Sequence, residues 1–209
     1  MPAVLLAILV RDSPLLVGLV AGTYLGAVSV LLVVMILIAD GSLFPRLGRA
    51  LEDEVGADLL RHPDVIAVVS GISFEHRDVD HVVLSRAGCF AVEVKASFGR
   101  RGRLADVLDL QGKLAQTRDG ARQIERLLVS LDVPVPVTAV LLLTGSGSPD
   151  LAEAELHGDV LVLRHHWQGP WSEEPDGDDV LDDVTARAAA EQLTAYRSRR
   201  TEYELARRI

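Results

Sequence analysis

The chain has 209 residues, 49% hydrophobic and 24% charged, with 30 acidic against 21 basic side chains and a formal net charge of −9. Beyond a membrane segment, that length leaves about 170 residues, enough for one cored domain rather than two. The single cysteine excludes an internal disulfide framework. The acidic balance excludes strong non-specific nucleic-acid binding unless basic side chains cluster locally.

Residues 3–10 are apolar but too few to cross a bilayer, and Arg11-Asp12 break the run. Residues 15–39 then contain no charged side chain and are mostly Leu, Val, Ile, Ala and Gly. At about 1.5 Å per residue, a helix of this length exceeds the ~30 Å hydrocarbon thickness and spans it with some tilt. Ser13-Pro14 supply an N-cap and a first-turn proline, and Asp40-Gly41 end the helix. A signal peptide begins with basic residues, and Met1-Pro2-Ala3 does not. The expectation is a membrane segment over residues 1–40 with a single span at about 14–39. Gly18, Gly22 and Gly26 share one helix face, a spacing that lets two such helices approach as a homodimer. Arg46 and Arg49 after the span outweigh Arg11 before it, which stands beside Asp12. That bias places the C-terminal body on the cytoplasmic side of the cell membrane.

Because Arg11 and Asp12 cancel, the chain beyond the span at 14–39 carries the whole net charge. Residues 46–60 read as a helix with Leu47, Leu51, Val55 and Leu59 near one face, and 65–74 as a first strand. From Asp80 to Lys95, two runs rich in β-branched and apolar residues flank Ala87-Gly88, a tight hairpin turn. Alternation puts Glu93 and Lys95 on one face and Phe90, Val92 and Val94 on the other. A turn pairing Arg86 with Cys89 sets Asp80 opposite Lys95 and diagonal to Glu93. Two carboxylates and an ammonium on an apolar hairpin are costly to bury without compensation. A divalent cation held by Asp80 and Glu93, with Lys95 beside it, would provide it; the plain alternative is a surface Glu–Lys pair that contributes little. His81 alternates away from Asp80 and reads as structural, and Cys89 as a small buried hydrophobe. Arg100, Arg101 and Arg103 follow at once, placed to guide a phosphodiester toward that patch.

Further along, Leu110, Leu114, Thr117, Ala121, Ile124, Leu128 and Leu131 recur at steps of four and three, an amphipathic helix. Residues 135–144 are almost continuously apolar and suit a strand buried on both faces. Residues 145–149 form a loop and 160–163 a short strand. His165-His166, with Trp167 and Trp171, reads as a strand end docking on the sheet rather than a ligand set. Residues 173–183 are an acidic loop rich in Pro, Gly and Asp. Residues 181–207 form a terminal helix crowded at its end with Arg197, Arg199, Arg200, Arg207 and Arg208. No glycine-rich phosphate loop, zinc-type Cys/His spacing or Gly-x-Ser-x-Gly elbow occurs.

Asp80, followed after a hairpin by Glu93-Val94-Lys95, resembles the Asp…(Asp/Glu)-x-Lys signature of restriction-endonuclease-like nucleases. More narrowly, Val79-Asp80-His81-Val82-Val83-Leu84-Ser85 with Gly88-Cys89-Phe90-Ala91-Val92-Glu93-Val94-Lys95 and Gly99 resembles the nuclease-related, or NERD, domain, over residues 48–166. The resemblance implies an α/β fold: a restriction-endonuclease-like mixed sheet flanked by helices, with an α-β-β-β-α-β core. The order helix, three strands, helix, strand read from the residues agrees. This gives a nuclease-related domain at 41–170, followed by an acidic loop and C-terminal helix at 171–209. The resemblance also implies that Asp80 and Glu93 hold Mg²⁺ or Mn²⁺, with Lys95 catalytic. A glutamate on the first helix and a glutamine on the helix after Glu-x-Lys complete such sites. Glu52 aligns for the first, with Glu54 the alternative; Gln116 fits the second, with Gln111 and Gln123 as alternatives.

The reading is a membrane-anchored, divalent-metal-dependent nuclease hydrolysing phosphodiester bonds in nucleic acid, DNA rather than RNA. The competing class is a catalytically inactive membrane-tethered scaffold, or a nucleic-acid-binding module with the same fold. The intact Asp80, Glu93 and Lys95 favour the enzyme, since a retired site has no physical reason to retain buried charges. The lack of a broad basic surface and the membrane tether favour the scaffold.

Overall fold

Freedom from charge over residues 15–39 is realised as one long helix. In the computed structural model, which describes residues 14–39, 43–75, 77–96, 104–145, 154–165 and 181–206, α1 runs over Pro14–Ala39. Its stretch Leu15–Ile38 is long and apolar enough to cross a membrane. The Thr23 and Ser29 hydroxyls donate to the Leu19 and Leu25 carbonyls, each at 2.8 Å. Both polar side chains are thereby satisfied within the helix. Arg11, Asp12 and the short apolar run before them lie outside the described residues. So do Arg100, Arg101, Arg103, His166, Trp167, Trp171, the run 173–180, Arg207 and Arg208.

The chain divides into two units, Met1–Arg49 and Ala50–Ile209. The second is built on a six-stranded mixed sheet in the order β1-β2-β3-β4-β6-β5. Its strands are β1 (Val65–Ser73), β2 (Asp78–Ser85), β3 (Gly88–Ala96), β4 (Val137–Thr144), β5 (Ala154–His157) and β6 (Val160–Arg164). β1, β2 and β3 form an antiparallel meander, β4 lies parallel to β3 and β6 parallel to β4, and β5 closes the edge antiparallel to β6. Helix α2 is Leu43–Leu59, α3 is Leu110–Ser130 and α4 is Asp183–Ala206. A parallel β3–β4 pair requires a crossover, and α3 makes it.

Strand alternation divides the core between two faces. On one, Val82, Leu84, Cys89, Ala91, Leu141 and Leu143 meet Leu114, Ala121, Ile124 and Leu128 of α3 and Ala186, Ala189 and Leu193 of α4. On the other, Val83, Phe90, Val92, Val94, Val140 and Leu142 meet Val55 and Leu59 of α2. The buried positions of α3 follow the expected steps of three and four. α4 starts where the Asp182 carboxylate accepts the Val184 and Thr185 amides, both at 2.9 Å, a side-chain N-cap. Burial pushes the Cys89 thiol up to about 12, the behaviour of a core hydrophobe.

The hairpin differs from expectation in register. Ser85 pairs with Gly88, so the turn residues are Arg86 and Ala87 rather than Ala87 and Gly88. Gly88 instead opens β3 with φ 138°, a left-handed value that glycine tolerates. Pairing continues through His81 opposite Val92, so the next step sets Asp80 against Glu93, not Lys95.

Candidate active site

The site begins where the β2–β3 ladder ends. Beyond the His81–Val92 pair, the Val94 amide is bonded by a side chain: Asp80 Oδ2 accepts it at 2.7 Å. The carboxylate therefore substitutes for a strand partner, which fixes its position against β3. Glu93, on the α3 face of β3, is 4% exposed. Its Oε1 accepts from Lys95 Nζ and from Gln116 Nε2, the latter at 2.5 Å. Lys95 shares the face of Glu93 two residues on, and Gln116 descends from α3 one residue before buried Thr117. Of the three candidate glutamines, Gln116 is the one hydrogen-bonded to Glu93.

Electrostatically the pair is unfavourable alone. Burial, then the Asp80 charge, holds the Glu93 carboxyl above the usual carboxylate range, while Lys95 and Arg77 pull it down. Burial likewise raises Asp80, against the lowering effect of the Val94 amide and Lys95. Glu93 Oε2 and Asp80 Oδ1 have no donor among the described residues. Two closely placed carboxylates with open oxygens suit a hard cation such as Mg²⁺, which keeps several waters and uses one or two carboxylates. No cluster of three or more His, Cys, Asp or Glu suited to a metal occurs among the described residues. The donor set thus fits a hydrated hard ion and not a closed, all-protein cage.

Arg77 is a member that sequence reasoning missed. Its guanidinium donates to the Gln116 carbonyl at 2.9 Å and reaches Asp119 at 3.4 Å, tying the loop before β2 to α3 beside the site. A lone arginine in a short loop follows no periodicity that marks it. Gly71 of β1, between the pairs Ser70–His81 and Ile72–Val79, falls level with Asp80. Its φ of 66° is one that a side chain would strain.

Glu52 and Glu54 are placed elsewhere. They sit on α2, whose Val55 and Leu59 pack on the opposite face of the sheet. Neither is among the charges acting on Asp80 or Glu93. On that face His81 is buried, its Nδ1 bonded to Ser70 Oγ at 2.9 Å, and burial lowers its pKa. A Cβ on Gly56 of α2 would come within 2.9 Å of the His81 ring. His81 is thus a packing residue, as its alternation implies. His165 is likewise a docking residue: its Nδ1 meets Thr144 Oγ1 at 3.0 Å and its Nε2 meets Asp58 of α2 at 3.1 Å.

No curated protein and no solved structure shows significant similarity to the chain. Residues 47–144 do match a known family, the nuclease-related domain, or NERD. The match runs from α2 to the last residue of β4, takes in Asp80, Glu93, Lys95 and Gln116, and stops short of β5 and β6. The chain therefore carries a nuclease-related, NERD, domain across residues 47–144.

Proposed function

We propose that the protein is a divalent-metal-dependent nuclease that hydrolyses phosphodiester bonds, in DNA rather than RNA. We also propose that α1 anchors it in the cell membrane, with the body on the cytoplasmic side. One observation carries the catalytic part: a buried Glu93 beside Asp80 whose single oxygen receives both Lys95 and Gln116. Structural ion pairs on a sheet surface have no need of a second, half-buried carboxylate or of a carboxamide from another element.

When bound, Mg²⁺ or Mn²⁺ polarises the phosphoryl oxygen and makes water a better nucleophile. Asp80 Oδ1 and Glu93 Oε2 are the oxygens that would hold it. Lys95, its ammonium kept in place by Glu93, orients the attacking water, or deprotonates it once its own proton has been released, or stabilises charge gathering on the phosphorane. Gln116 donates through Nε2 to Glu93, leaving its carbonyl oxygen to orient water or a substrate hydroxyl. Arg77 balances charge from the α3 side. Glu52, on α2 across the sheet, takes no direct part in this scheme. Gly18, Gly22 and Gly26 each have open space where a side chain would stand, and along that face two copies would pair in lipid.

The test is cleavage of supercoiled plasmid and of a matched RNA by detergent-solubilised full-length protein. Mg²⁺ or Mn²⁺ should produce DNA cleavage that EDTA and Asp80→Ala both abolish. No cleavage of any DNA or RNA by the wild type would leave the scaffold reading standing.

A further inference from the structure

Strand alternation fails at one level of the β1–β2 hairpin, and Asp80 stands at that level. Residues three apart on a regular strand face opposite ways. Yet Val69 and Ile72 of β1 pack into one core cluster, that of α3 and α4, and so do Val79 and Val82 of β2. Between them, Ser70 and His81 face α2, where a Cβ on Gly56 would meet both side chains. The pairs Ser70–His81 and Ile72–Val79 keep one register, so no residue is inserted. Both strands instead turn over together at Gly71 and Asp80.

Gly71 supplies the turn. Its φ of 66° is left-handed, open to glycine and costly for an L side chain. Space is not the reason for a glycine there: the residue is exposed, and an added Cβ meets no atom within 4 Å. The backbone before it is held, since Arg197 of α4 donates to the Ser70 carbonyl at 2.8 Å and His81 Nδ1 lies 2.9 Å from Ser70 Oγ. The tip beyond it is held as well. Ile72 and Val79 are buried, and Arg77 donates to the Gln116 carbonyl at 2.9 Å. The change of direction is therefore absorbed between these two anchored parts. At the same level β2 leaves β3: their last pair is His81–Val92, and the Val94 amide goes to Asp80 Oδ2 at 2.7 Å.

We infer that Gly71 is a positioning residue for Asp80, acting through its left-handed backbone. A straight β2 would run on beside β3 and offer the Val94 amide a strand carbonyl. Asp80 would then project from the sheet as an ordinary strand side chain. The turn at Gly71 withdraws β2 after His81, leaves the Val94 amide without a strand partner and hands it to the Asp80 carboxylate. That bond fixes Oδ2 against the backbone between Glu93 and Lys95, which brings the two acids together. Gly71 itself touches neither cation nor substrate. Its role rests on the nuclease reading only for the cation that Asp80 would hold.

The Val94 amide reads this placement without metal or cleavage. Full-length protein with isotope-labelled valine, in detergent and EDTA, is compared by NMR with and without Asp80→Ala. In the wild-type background Asp80→Ala should shift the Val94 amide resonance, which loses its acceptor. Gly71→Val, whose branched side chain does not hold a left-handed φ, should abolish that response. Gly71→Asn, which tolerates the conformation, should keep it. By calorimetry without EDTA, Mn²⁺ affinity should fall about 10–100-fold in Gly71→Val, the loss expected when a group that orients a ligand is removed, and stay near wild type in Gly71→Asn. A Val94 amide that still answers to Asp80→Ala in Gly71→Val, or stops answering in Gly71→Asn, overturns the positioning role. If the valine variant does not fold, Gly71→Ala replaces it: its Val94 response should be smaller than that of Gly71→Asn, and an equal or larger one overturns the role. A response lost in Gly71→Val, in a protein whose wild type binds no Mn²⁺, keeps the role and removes the metal-dependent nuclease reading.

Discussion

Asp80→Asn separates the cost of the paired carboxylates from their use. The asparagine carbonyl can still accept the Val94 amide that Asp80 accepts at 2.7 Å, so the β2–β3 junction survives while one charge is lost. Burial raises the folded-state pKa of both Asp80 and Glu93 above their unfolded values. For such groups the stabilising contribution is full below the unfolded pKa, about 4, and is lost as pH rises through the folded value. As pH rises toward 7.5 the metal-free protein therefore loses that contribution and bears the growing penalty of charge on both neighbours. Charges about 5 Å apart, the spacing of side chains directly opposed across two strands, repel by about 3 kcal/mol at an effective dielectric of ~20, and the Lys95 ammonium offsets part of this. A net relief of about 1–2 kcal/mol, at 2–4 °C per kcal/mol for a chain of this size, raises Tm by about 2–8 °C. Melting followed by circular dichroism in EDTA should show that rise at pH 7.5 and its disappearance near pH 4. Adding Mn²⁺ at a hundredfold excess over its Kd should stabilise the wild type by about 2.7 kcal/mol and leave the variant unmoved, reversing the order. An apo variant that melts below wild type at pH 7.5, or an equal Mn²⁺ shift in both proteins, refutes the reasoning.

Lys95→Ala should keep Mn²⁺ affinity by calorimetry yet lower plasmid cleavage by about two to four orders of magnitude, because an ammonium is not a ligand but an acid–base or charge-stabilising group. Lys95→Arg should not restore the rate, since guanidinium keeps its proton and is bulkier; a fully active arginine variant would reduce Lys95 to a structural partner of Glu93. Gly56→Ala forces a Cβ within 2.9 Å of the buried His81 ring, and should cost about 1–3 kcal/mol of stability. An unchanged melting temperature would mean that α2 does not rest on His81. Full-length protein should remain in the membrane fraction through carbonate and high-salt washes, with a C-terminal tag shielded from external protease in intact cells. Release by salt would reduce α1 to a peripheral contact, and digestion of the tag would reverse the topology.

Elements with strong periodicity were legible because one physical demand fixes them. Leu114, Ala121, Ile124 and Leu128 can be buried together only on a helix, and Leu141 to Thr144 are buried because β4 is central and covered on both faces. β5 was not legible. Ala154-Glu155-Leu156-His157 is an exposed edge strand, so no buried face imposes alternation on it. Its one signal is Gly158-Asp159, the two-residue turn that pairs His157 with Val160, with Gly158 at φ 70°. The paired acid, the lysine and Gln116 were legible as a motif with alternatives. Only the three-dimensional packing separates Gln116, on Glu93, from Gln123, seven residues on. Arg77 left no trace at all in the sequence, because its role depends on where a loop meets a helix distant in the chain.

The register of the hairpin shows why a faulty local expectation left the site's face intact. Moving the turn from Ala87-Gly88 to Arg86-Ala87 changes each cross-strand partner by two residues, not one. Side chains alternate with a period of two, so every residue keeps its face: Glu93 stays toward α3, and Phe90, Val92 and Val94 stay toward α2. What changes is the neighbour. Asp80 moves from beside an ammonium, which would have neutralised it, to beside a second carboxylate. In that register one ammonium serves two acids: Lys95 bonds Glu93, while its charge also lowers Asp80. On the proposed reading, this register costs the empty protein stability and suits a cation better than the expected one. That asymmetry is what the Asp80→Asn melting experiment measures.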